Sequence, residues 1–467
     1  MLRLVFAALI VALSHPALAD AFADYRAIQI ALASANVTDE TVAKARNLFP
    51  DQITLIEKME SAARSDQDYF IAKRQTAQAA YHDFILLPAN QDVLHGFIAH
   101  QLAFLEKLSV SQEARPGMIL AWGWATLSEA AVIGYEATGD QRFIDQALRI
   151  FRVSYENTDD ARGITEDFNR ENVRGWSFDH YGKTGREHTF AGRIIAPMLR
   201  LAIAVKGKNI PDATAREIQK HAADGIEILK AHLQFQIIDG DKRYYKYIFT
   251  GEQDAFNHIA SYTLAASYAY ELTGDKEFRD VCDGFLNYLF SHVEVGENGA
   301  YAWDYQINDD PKKRHRSELW KEAITISAIA YMNERGIGVA SKHKKGLTRG
   351  FTTYIARQNR TVHAKMGTDY FPLTAFNLMK TDYIHVQLFM NYMPLDQWSP
   401  EIREIILDTV ASRSDLFPEG LLSGFFSAPA YAHMLRYNAD ATISSVMQKV
   451  LDVSKDIWGS IKPITGR

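Results

Sequence analysis

The sequence predicts an all-α protein: an (α/α) toroid or incomplete barrel of six or seven helical hairpins, with short β-strands or extended loops at a cleft. Apolar residues recur at three- and four-residue spacing along most of the chain, which is the period of amphipathic helices. A helix–turn–helix motif occurs twice, and segments that alternate like β-strands are few. With 47% hydrophobic and 23% charged residues, the composition is that of a globular protein with a large core.

The helical period is clearest in a series of segments that ends near position 332. These segments are 51–81, 92–108, 118–137, 140–155, 193–205, 213–232, 258–272, 276–290 and 317–332, with further helices expected towards the C-terminus. Residues 242–249 and 299–307 are aromatic and partly alternating, so short strands or extended loops are expected there. No stretch rich in Pro, Gly or Ser separates these segments, and we therefore expect one domain over residues 20–467.

A repeated turn motif supports the hairpin architecture. Residues 135–140 (Tyr-Glu-Ala-Thr-Gly-Asp) recur as 270–275 (Tyr-Glu-Leu-Thr-Gly-Asp), and each copy is followed at the same spacing by Phe and Asp. The Gly residue is suited to end one helix in the left-handed conformation, and the Asp residue is suited to cap the next. The motif therefore predicts two α-hairpins with tight turns, although helix–Thr-Gly-Asp–helix is also common turn chemistry.

The N-terminus predicts export. Arg3 gives a positive start, residues 4–13 are all apolar, and Ala17 and Ala19 form an A-x-A cleavage site. Ten apolar residues are too few to span a bilayer, and charges interrupt every later helical segment. We expect residues 1–19 to be a cleaved signal peptide, a periplasmic or secreted protein and no membrane span; the alternative is a buried N-terminal helix.

Charge and cysteine content exclude several classes of function. Lys and Arg total 51 against 57 Asp and Glu, giving a net charge of −6, whereas a wide nucleic-acid-binding face is basic. The lone Cys282 allows neither an internal disulfide nor a cysteine-based zinc site. The sequence contains no phosphate-binding loop, no nucleophile elbow and no dinucleotide fingerprint. We therefore expect no nucleic-acid partner, no cofactor and no metal.

Aromatic and cationic residues suited to sugar acids concentrate in three segments, around 176–197, 254–258 and 301–320. Aromatic rings stack on sugar faces, and guanidinium groups pair with carboxylates through two hydrogen bonds. The substrate-binding candidates are Trp176, His180, Arg193, Tyr301, Trp303, Arg314 and Arg316, and the catalytic candidates are His188, Asn257, His258 and Tyr305.

These residues resemble a known family, the (α/α)-toroid polysaccharide lyases of the alginate-lyase and glucuronan-lyase type. The resemblance consists of the adjacent Asn257 and His258 that open a helix, and of Tyr301-x-Trp303-x-Tyr305 with arginines beyond it. The segment 188–197 (H-T-x-x-G-R…P) is similar to one in related lyases. The resemblance covers residues 120–330. It implies an exported enzyme that cleaves an acidic, uronate-containing polysaccharide by β-elimination.

The resemblance also implies roles for the candidates. Asn257 and His258 would neutralise the substrate carboxylate, His258 or a tyrosine would remove the C5 proton, and Tyr305 (or Tyr301) would protonate the leaving O4. Arg316 or Arg314 would be the charge partner and His188 a second histidine in the cleft, with Asp304 or Glu318 orienting them. This chain departs from the alginate-type pattern because both arginines follow Tyr305, whereas that pattern places an arginine shortly before the tyrosine.

Each candidate also has a structural interpretation. Asn257 would serve as a helix N-cap, His258 as a half-buried histidine, and the three alternating aromatics as one buried strand face. The segment 312–316 would be a solvated loop. His180 and His188, eight residues apart, would suit a metal pair, although no H-E-x-x-H motif occurs.

Two other functions remain open at this stage. A glycoside hydrolase on the same toroid needs two carboxylates across a cleft, for which Asp179, Asp254, Asp304 and Glu318 are available. A non-catalytic protein that binds acidic glycans would need neither His258 nor Tyr305. The products separate the three, because a lyase makes an unsaturated uronate, a hydrolase makes a reducing end without that double bond, and a binding protein makes neither.

Overall fold

A ring of helices surrounds the centre of the protein, as seen in a computed structural model. The structure describes residues 39–48, 90–107, 110, 113–164, 173–180, 183–308, 317, 319–355, 388–412 and 427–438. The predicted signal peptide 1–19, the predicted helix 51–81, and Arg314, Arg316 and Glu318 lie outside these residues.

Six inner elements form the ring. They are α3 (Gly117–Thr138), α5 (His188–Ala204), α7 (Phe256–Thr273), α9 (Leu319–Glu334), the 3₁₀ helix Leu388–Gln397 and α12 (Ser427–Asn438). Each packs against the next in this order, and α12 packs back against α3. The ring of the described residues is therefore closed, which confirms the predicted all-α toroid and gives it six inner elements.

Outer helices cover the ring. α4 (Gln141–Glu156) packs on α3, α6 (Asp212–Leu233) on α5, α8 (Lys276–Phe290) on α7, and α11 (Glu401–Ser412) on the 3₁₀ helix. α2 (Gln91–Lys107) packs on α3 and α12. α1 (Asp39–Leu48) and α10 (Ser341–Gly350) complete the described α-helices, and α10 is followed by a π-helical turn over Phe351–Ile355. Because outer helices run back between the inner ones, the inner helices begin at a shared end of the ring.

Three small hairpins lie between the helices. β1 (Ser177–His180) pairs with β2 (Lys183–Arg186), β3 (Ile237–Asp239) with β4 (Lys242–Tyr244), and β5 (Glu294–Val295) with β6 (Tyr301–Ala302), all antiparallel. The second strands of the last two hairpins, β4 and β6, fall in the segments 242–249 and 299–307, where short strands were expected, while β3 and β5 lie outside them. The first hairpin lies in the polar segment before α5, for which no strand was predicted.

The repeated turn is the same in both copies. Gly139 ends α3 and Gly274 ends α7, each with φ of 71° in the left-handed region. Asp140 accepts a hydrogen bond from the backbone N–H of Arg142, and Asp275 accepts one from that of Glu277. The turn chemistry predicted from the sequence is confirmed, since Gly closes one helix and Asp caps the next.

Among the described helices, α3 alone is long and apolar enough to cross a membrane. Of its most apolar window, 78% is buried inside the protein. Its apolar residues face other helices of the ring, which is why a core helix of a helical ring can be this long and apolar.

Candidate functional site

A close approach between α5 and α7 assembles the site at the end of the ring where the inner helices begin. The backbone of α7 packs directly against Gly192 on α5. A Cβ atom at position 192 would lie only 2.5 Å from the Cα atom of Tyr262. Glycine therefore allows the two helices to approach more closely than any other residue would permit. The first turns of both helices meet as a result, and we call this end of the ring the mouth.

His258 is a partly exposed histidine at the mouth. Its Nδ1 lies 2.8 Å from Oδ1 of Asp254, and its side chain is 21% exposed while that of Asp254 is 2% exposed. With Nδ1 engaged, Nε2 is the nitrogen left for the cleft. Burial disfavours the charged form of His258, but the carboxylates of Asp254 and Glu187 outweigh burial and raise its pKa.

Three aromatic rings surround His258. The ring centroids of Trp122, Tyr247 and Tyr305 lie 6.3, 6.2 and 6.4 Å from that of His258, and all three side chains are partly exposed. The Nζ atom of Lys321, in the first turn of α9, lies 4.1 Å from the centroid of the Tyr305 ring. Partly exposed rings around a proton-transferring group are a suitable surface for a sugar, and a cation over a tyrosine ring is a stabilising contact.

Tyr305 is tied to the start of α7 through its backbone. The carbonyl oxygen of Tyr305 accepts a hydrogen bond of 3.2 Å from the N–H of Phe256, the first residue of the helix. This bond fixes the segment after β6 beside Asn257 and His258. The Tyr305 ring therefore lies near His258 although 47 positions separate them in sequence.

Asn257 precedes His258 on α7, and Arg193 on α5 approaches Trp122, the ring next to His258. Asn257 is 2% exposed, and neither atom of its amide makes a hydrogen bond to the described residues. The helix is capped at Ala255, so Asn257 is not its N-cap. Arg193 donates to Oγ1 of Thr126 at 2.9 Å and lies 3.7 Å from Glu129, and burial lowers its pKa. Unsatisfied buried amides are costly, which suits a group reserved for a ligand.

A cavity lies inside the ring, between the inner elements. All six inner elements line it, for example through Thr126, Arg193, Ser261, Ala323, Asn391 and Pro429. Asn257 lies one helical turn before Ser261, on the same face of α7. The wall of the cavity at Ser261 is therefore one helical turn from Asn257.

An ion cluster fills the opposite end of the axis. Arg200 on α5 makes two hydrogen bonds to Glu136 on α3, of 3.0 and 2.6 Å. Arg335 and Arg436 each approach Glu136 to 3.3 Å. Burial opposes ionisation of Glu136, but the three guanidinium groups outweigh it and lower the pKa. Because the cluster joins helices on opposite sides of the ring, the cavity has a charged floor.

A second group of titratable residues lies beneath the mouth. Glu187, His188 and Asp254 are at most 3% exposed, and their side chains together could hold a metal ion. His188 Nδ1 lies 3.4 Å from Glu187 and Nε2 lies 3.3 Å from Asp254. The expectation of no metal stays a prediction, and these residue types are ones that can bind a metal ion.

The structure brings together some of the predicted site residues and separates others. Asn257, His258 and Tyr305 lie together at the mouth, and Arg193 is linked to them through Trp122, while His188 is buried behind Asp254 and does not line the cleft. His180 contacts Phe178, Tyr247 and Phe249 beside the mouth, so the contacts of His180 and His188 differ and the two do not form the predicted pair.

Three aromatic candidates lie in the core. Trp176 is 1% exposed and donates its indole N–H to the carbonyl of Ser154. Trp303 is 1% exposed, and Tyr301 is 7% exposed and pairs with His343 at 3.0 Å. The alternative interpretation of these alternating aromatics as one buried face fits Tyr301 and Trp303, and it does not fit the partly exposed Tyr305.

Trp122, Tyr247, Glu129 and Lys321 were not among the sequence candidates. Trp122 stands in an apolar run that indicates core packing, but α3 contains a π-helical turn over Leu120–Trp124, and such turns are frequent at functional sites. Tyr247 belongs to the aromatic segment 242–249, which was a sequence signal for it. Glu129 and Lys321 follow no local motif, and their signal is only the position that the ring gives them.

Comparison with known proteins gives structural similarity alone. No family model matches the chain, and no curated protein matches it. The chain is similar to a variant of the α-1,6-mannanase GH76A of Salegentibacter sp. HEL1_6, with 13% identity and a TM-score of 0.48 over 75% of this chain and 99% of that one.

Two further solved structures show similarity of the same order. One is the unsaturated glucuronyl hydrolase of Bacillus sp. GL1, with 13% identity and a TM-score of 0.45 over 69% of this chain and 88% of that one. The other is a sugar epimerase from a ruminal bacterium, with 9% identity and a TM-score of 0.42 over 62% and 74%. These activities are those of the named proteins, and none of the three is named as a lyase.

Proposed function

We propose that this protein is an exported enzyme that degrades a glycan, and that the reaction takes place at the mouth of the ring. The single observation that carries the proposal is the group formed by Asp254, His258 and Tyr305, with Asp254 2.8 Å from His258 and the Tyr305 ring beside it. A histidine oriented by a carboxylate, next to a tyrosine, is an arrangement suited to proton transfer. The partly exposed rings around it suit sugar stacking.

The finer proposal is β-elimination on a uronate-containing polysaccharide. In this reaction the C5 proton leaves to a base, the C4–O4 bond breaks, a C4=C5 double bond forms, and the leaving O4 takes up a proton. Tyr305 is the residue we assign to proton transfer, because its ring is partly exposed beside His258. Asn257 and Nε2 of His258 are assigned to the substrate carboxylate, where fixed donors stabilise the charge that develops.

Arg193 supplies a cation for the substrate carboxylate that Asn257 and His258 would bind. Its guanidinium lies 5.2 Å from the centroid of the Trp122 ring and lines the axial cavity. We assign Arg193 to binding the acidic sugar. This is the role that the family resemblance implied for Arg314 or Arg316. An arginine is suited to this task because its planar group pairs with a carboxylate through two hydrogen bonds.

The second candidate function is glycoside hydrolysis, favoured by the position of Glu129. This carboxylate lines the axial cavity beside Arg193 and is 21% exposed, and Asp304 is partly exposed next to Tyr305. Hydrolysis needs two carboxylates on either side of the scissile bond. The mannanase and the glucuronyl hydrolase named above belong to this class. Asp254, in contrast, is buried behind His258 and is not placed to act on a substrate directly.

The experiment that tests the proposal measures ultraviolet absorbance of the conjugated product with purified protein and a panel of alginate, polyglucuronate, pectate, hyaluronan and chondroitin. A rise with any one of them supports β-elimination and names the uronate. New reducing ends without the rise support the hydrolase and make Glu129 the residue to change. Binding of the polymers with neither signal supports a glycan-binding protein and overturns the enzymatic proposal.

A further inference from the structure

We propose that Glu187, His188 and Asp254 bind one divalent transition-metal ion directly beneath His258. Glu187 and His188 stand at the start of α5, and Asp254 stands in the loop that leads into α7. The ion would therefore join the first turns of two inner helices at the point where the mouth is built. The proposal does not require the glycan reaction, although Asp254 belongs to both places because it contacts His258 at the mouth and His188 below it.

The spacing of the ligand atoms fits a shared ion. One ligand atom from each residue lies within 4.8 Å of the others. The distance from His188 Nε2 to Asp254 Oδ2 is 3.3 Å, longer than the roughly 2.8 Å of a charge-assisted hydrogen bond. Two ligands bound tetrahedrally about 2.1 Å from one zinc ion are separated by about 3.4 Å. This gap suits two ligands of one ion. Glu187 faces the other ring nitrogen, Nδ1, at 3.4 Å, and one imidazole presents only one nitrogen to an ion, so the ion would use one of these two contacts with the remaining carboxylate within 4.8 Å.

Each carboxylate is fixed through one oxygen, and its other oxygen faces a nitrogen of His188: Nδ1 for Glu187 and Nε2 for Asp254. Oε1 of Glu187 accepts a hydrogen bond from the N–H of Ile248 at 3.1 Å. Oδ1 of Asp254 accepts one from the N–H of Ala255 at 2.7 Å. The ring of His188 is stacked on Tyr245 with 4.0 Å between centroids. Such outer contacts orient the ligands of metal sites.

The electrostatics favour a cation at this place. Two carboxylates are buried side by side, and burying charge is expensive unless an opposite charge compensates it. Oδ2 of Asp254 is fully buried and makes no hydrogen bond to any described residue, although it faces His188. A divalent ion would add positive charge beside both carboxylates and a ligand bond to this oxygen. Imidazole together with carboxylates is a ligand set that Zn²⁺ and Mn²⁺ accept.

The test uses the whole protein and has two readouts besides activity. Metal content is measured by mass spectrometry, and the melting temperature is measured before chelation, after chelation, and after addition of ZnCl₂ or MnCl₂ alone. We expect about one equivalent of metal per chain, a melting temperature several degrees lower after chelation, and recovery with one of the two salts.

Variants of the proposed ligands test where the ion binds. His188→Gln and Asp254→Asn should each reduce the metal content to background and abolish the response to chelation. His221→Gln is the matched control, because His221 is also buried and faces a carboxylate, Glu217 at 3.6 Å, but lies on α6. A metal-free wild-type protein whose melting temperature responds to neither chelator nor metal would overturn the proposal. Equal metal content in wild type and both variants would do the same. Neither result bears on glycan cleavage, which the absorbance assay tests separately.

Discussion

Asp254 lies 2.8 Å from Nδ1 of His258 and 3.3 Å from Nε2 of His188, so that one carboxylate contacts two imidazoles. One of these histidines is partly exposed at the mouth, and the other is fully buried. The buried layer and the cleft are therefore connected through a single side chain. Any change in the charge beneath the mouth reaches His258 through Asp254, at a distance where buried charges interact strongly.

Replacing the Tyr305 hydroxyl tests the proposed proton transfer. Tyr305→Phe should lower kcat about 100-fold or more on the polymer that the absorbance assay identifies, since positioned acid–base groups contribute roughly that factor. The melting temperature should stay close to that of the wild type, because the ring and its contact with Lys321 remain. Tyr270→Phe is the control, since Tyr270 stands at the far end of α7. Equal activity of the two variants would remove Tyr305 from the site.

A methyl group at position 192 should separate α5 from α7. In Gly192→Ala the Cβ atom would lie 2.5 Å from backbone atoms of Tyr262, and backbone cannot rotate away. We expect a loss of about 3 kcal/mol in the free energy of unfolding, measured by chemical denaturation. Gly338→Ala is the matched control, because no atom lies within 4 Å of the position its methyl group would take and its φ lies outside the left-handed region. Comparable stability of both variants would contradict the close-approach explanation.

Replacing the glycine should destabilise both copies of the turn by the same amount. Gly139→Ala and Gly274→Ala both place a side chain at φ of 71°, in open space, so that the strain is conformational alone. Each should cost about 1 kcal/mol in the free energy of unfolding. Asn at either position should cost less, since Asn tolerates the left-handed region. Unequal losses for the two Gly→Ala variants would show that the hairpins differ in a way that the shared backbone geometry does not explain.

His95 should make the protein less stable in mild acid. Burial, and then the positive charge of Arg142, lower its pKa to about 4 from 6.5. Between these two values the unfolded chain binds a proton that the folded protein does not, so stability falls as the pH falls from 6.5 to 4. The contribution amounts to about 3 kcal/mol across that window.

The variant His95→Gln isolates this contribution. Its free energy of unfolding, measured by chemical denaturation between pH 4 and pH 7, should fall less steeply with acid than that of the wild type. Because Gln does not titrate, the two profiles should diverge below pH 6.5. Profiles that stay parallel across the window would show that His95 titrates equally in the folded and unfolded states.

The hairpin turns and most helices follow from local sequence, for a physical reason. The period of apolar residues selects the buried face of each helix, and the Thr-Gly-Asp turn ends one helix and caps the next through groups only two residues apart. α5 shows the limit of this argument, because it begins at His188 although the apolar period starts at Arg193. Its first turn is placed by contacts with Asp254 and Tyr245, which lie far away in sequence.

The candidate site also has features that follow from local sequence and features that depend on the tertiary structure. The sequence by itself determined the residue types, the turns and the adjacency of Asn257 and His258 at the start of a helix. Only the tertiary structure decided that Tyr305 stands beside His258 while Tyr301 and Trp303 are core, and that His188 lies beneath the mouth. It also added Trp122 and Lys321. The reason is that helical period and capping are properties of neighbouring residues, whereas the site is formed where separate helices of a closed ring begin together.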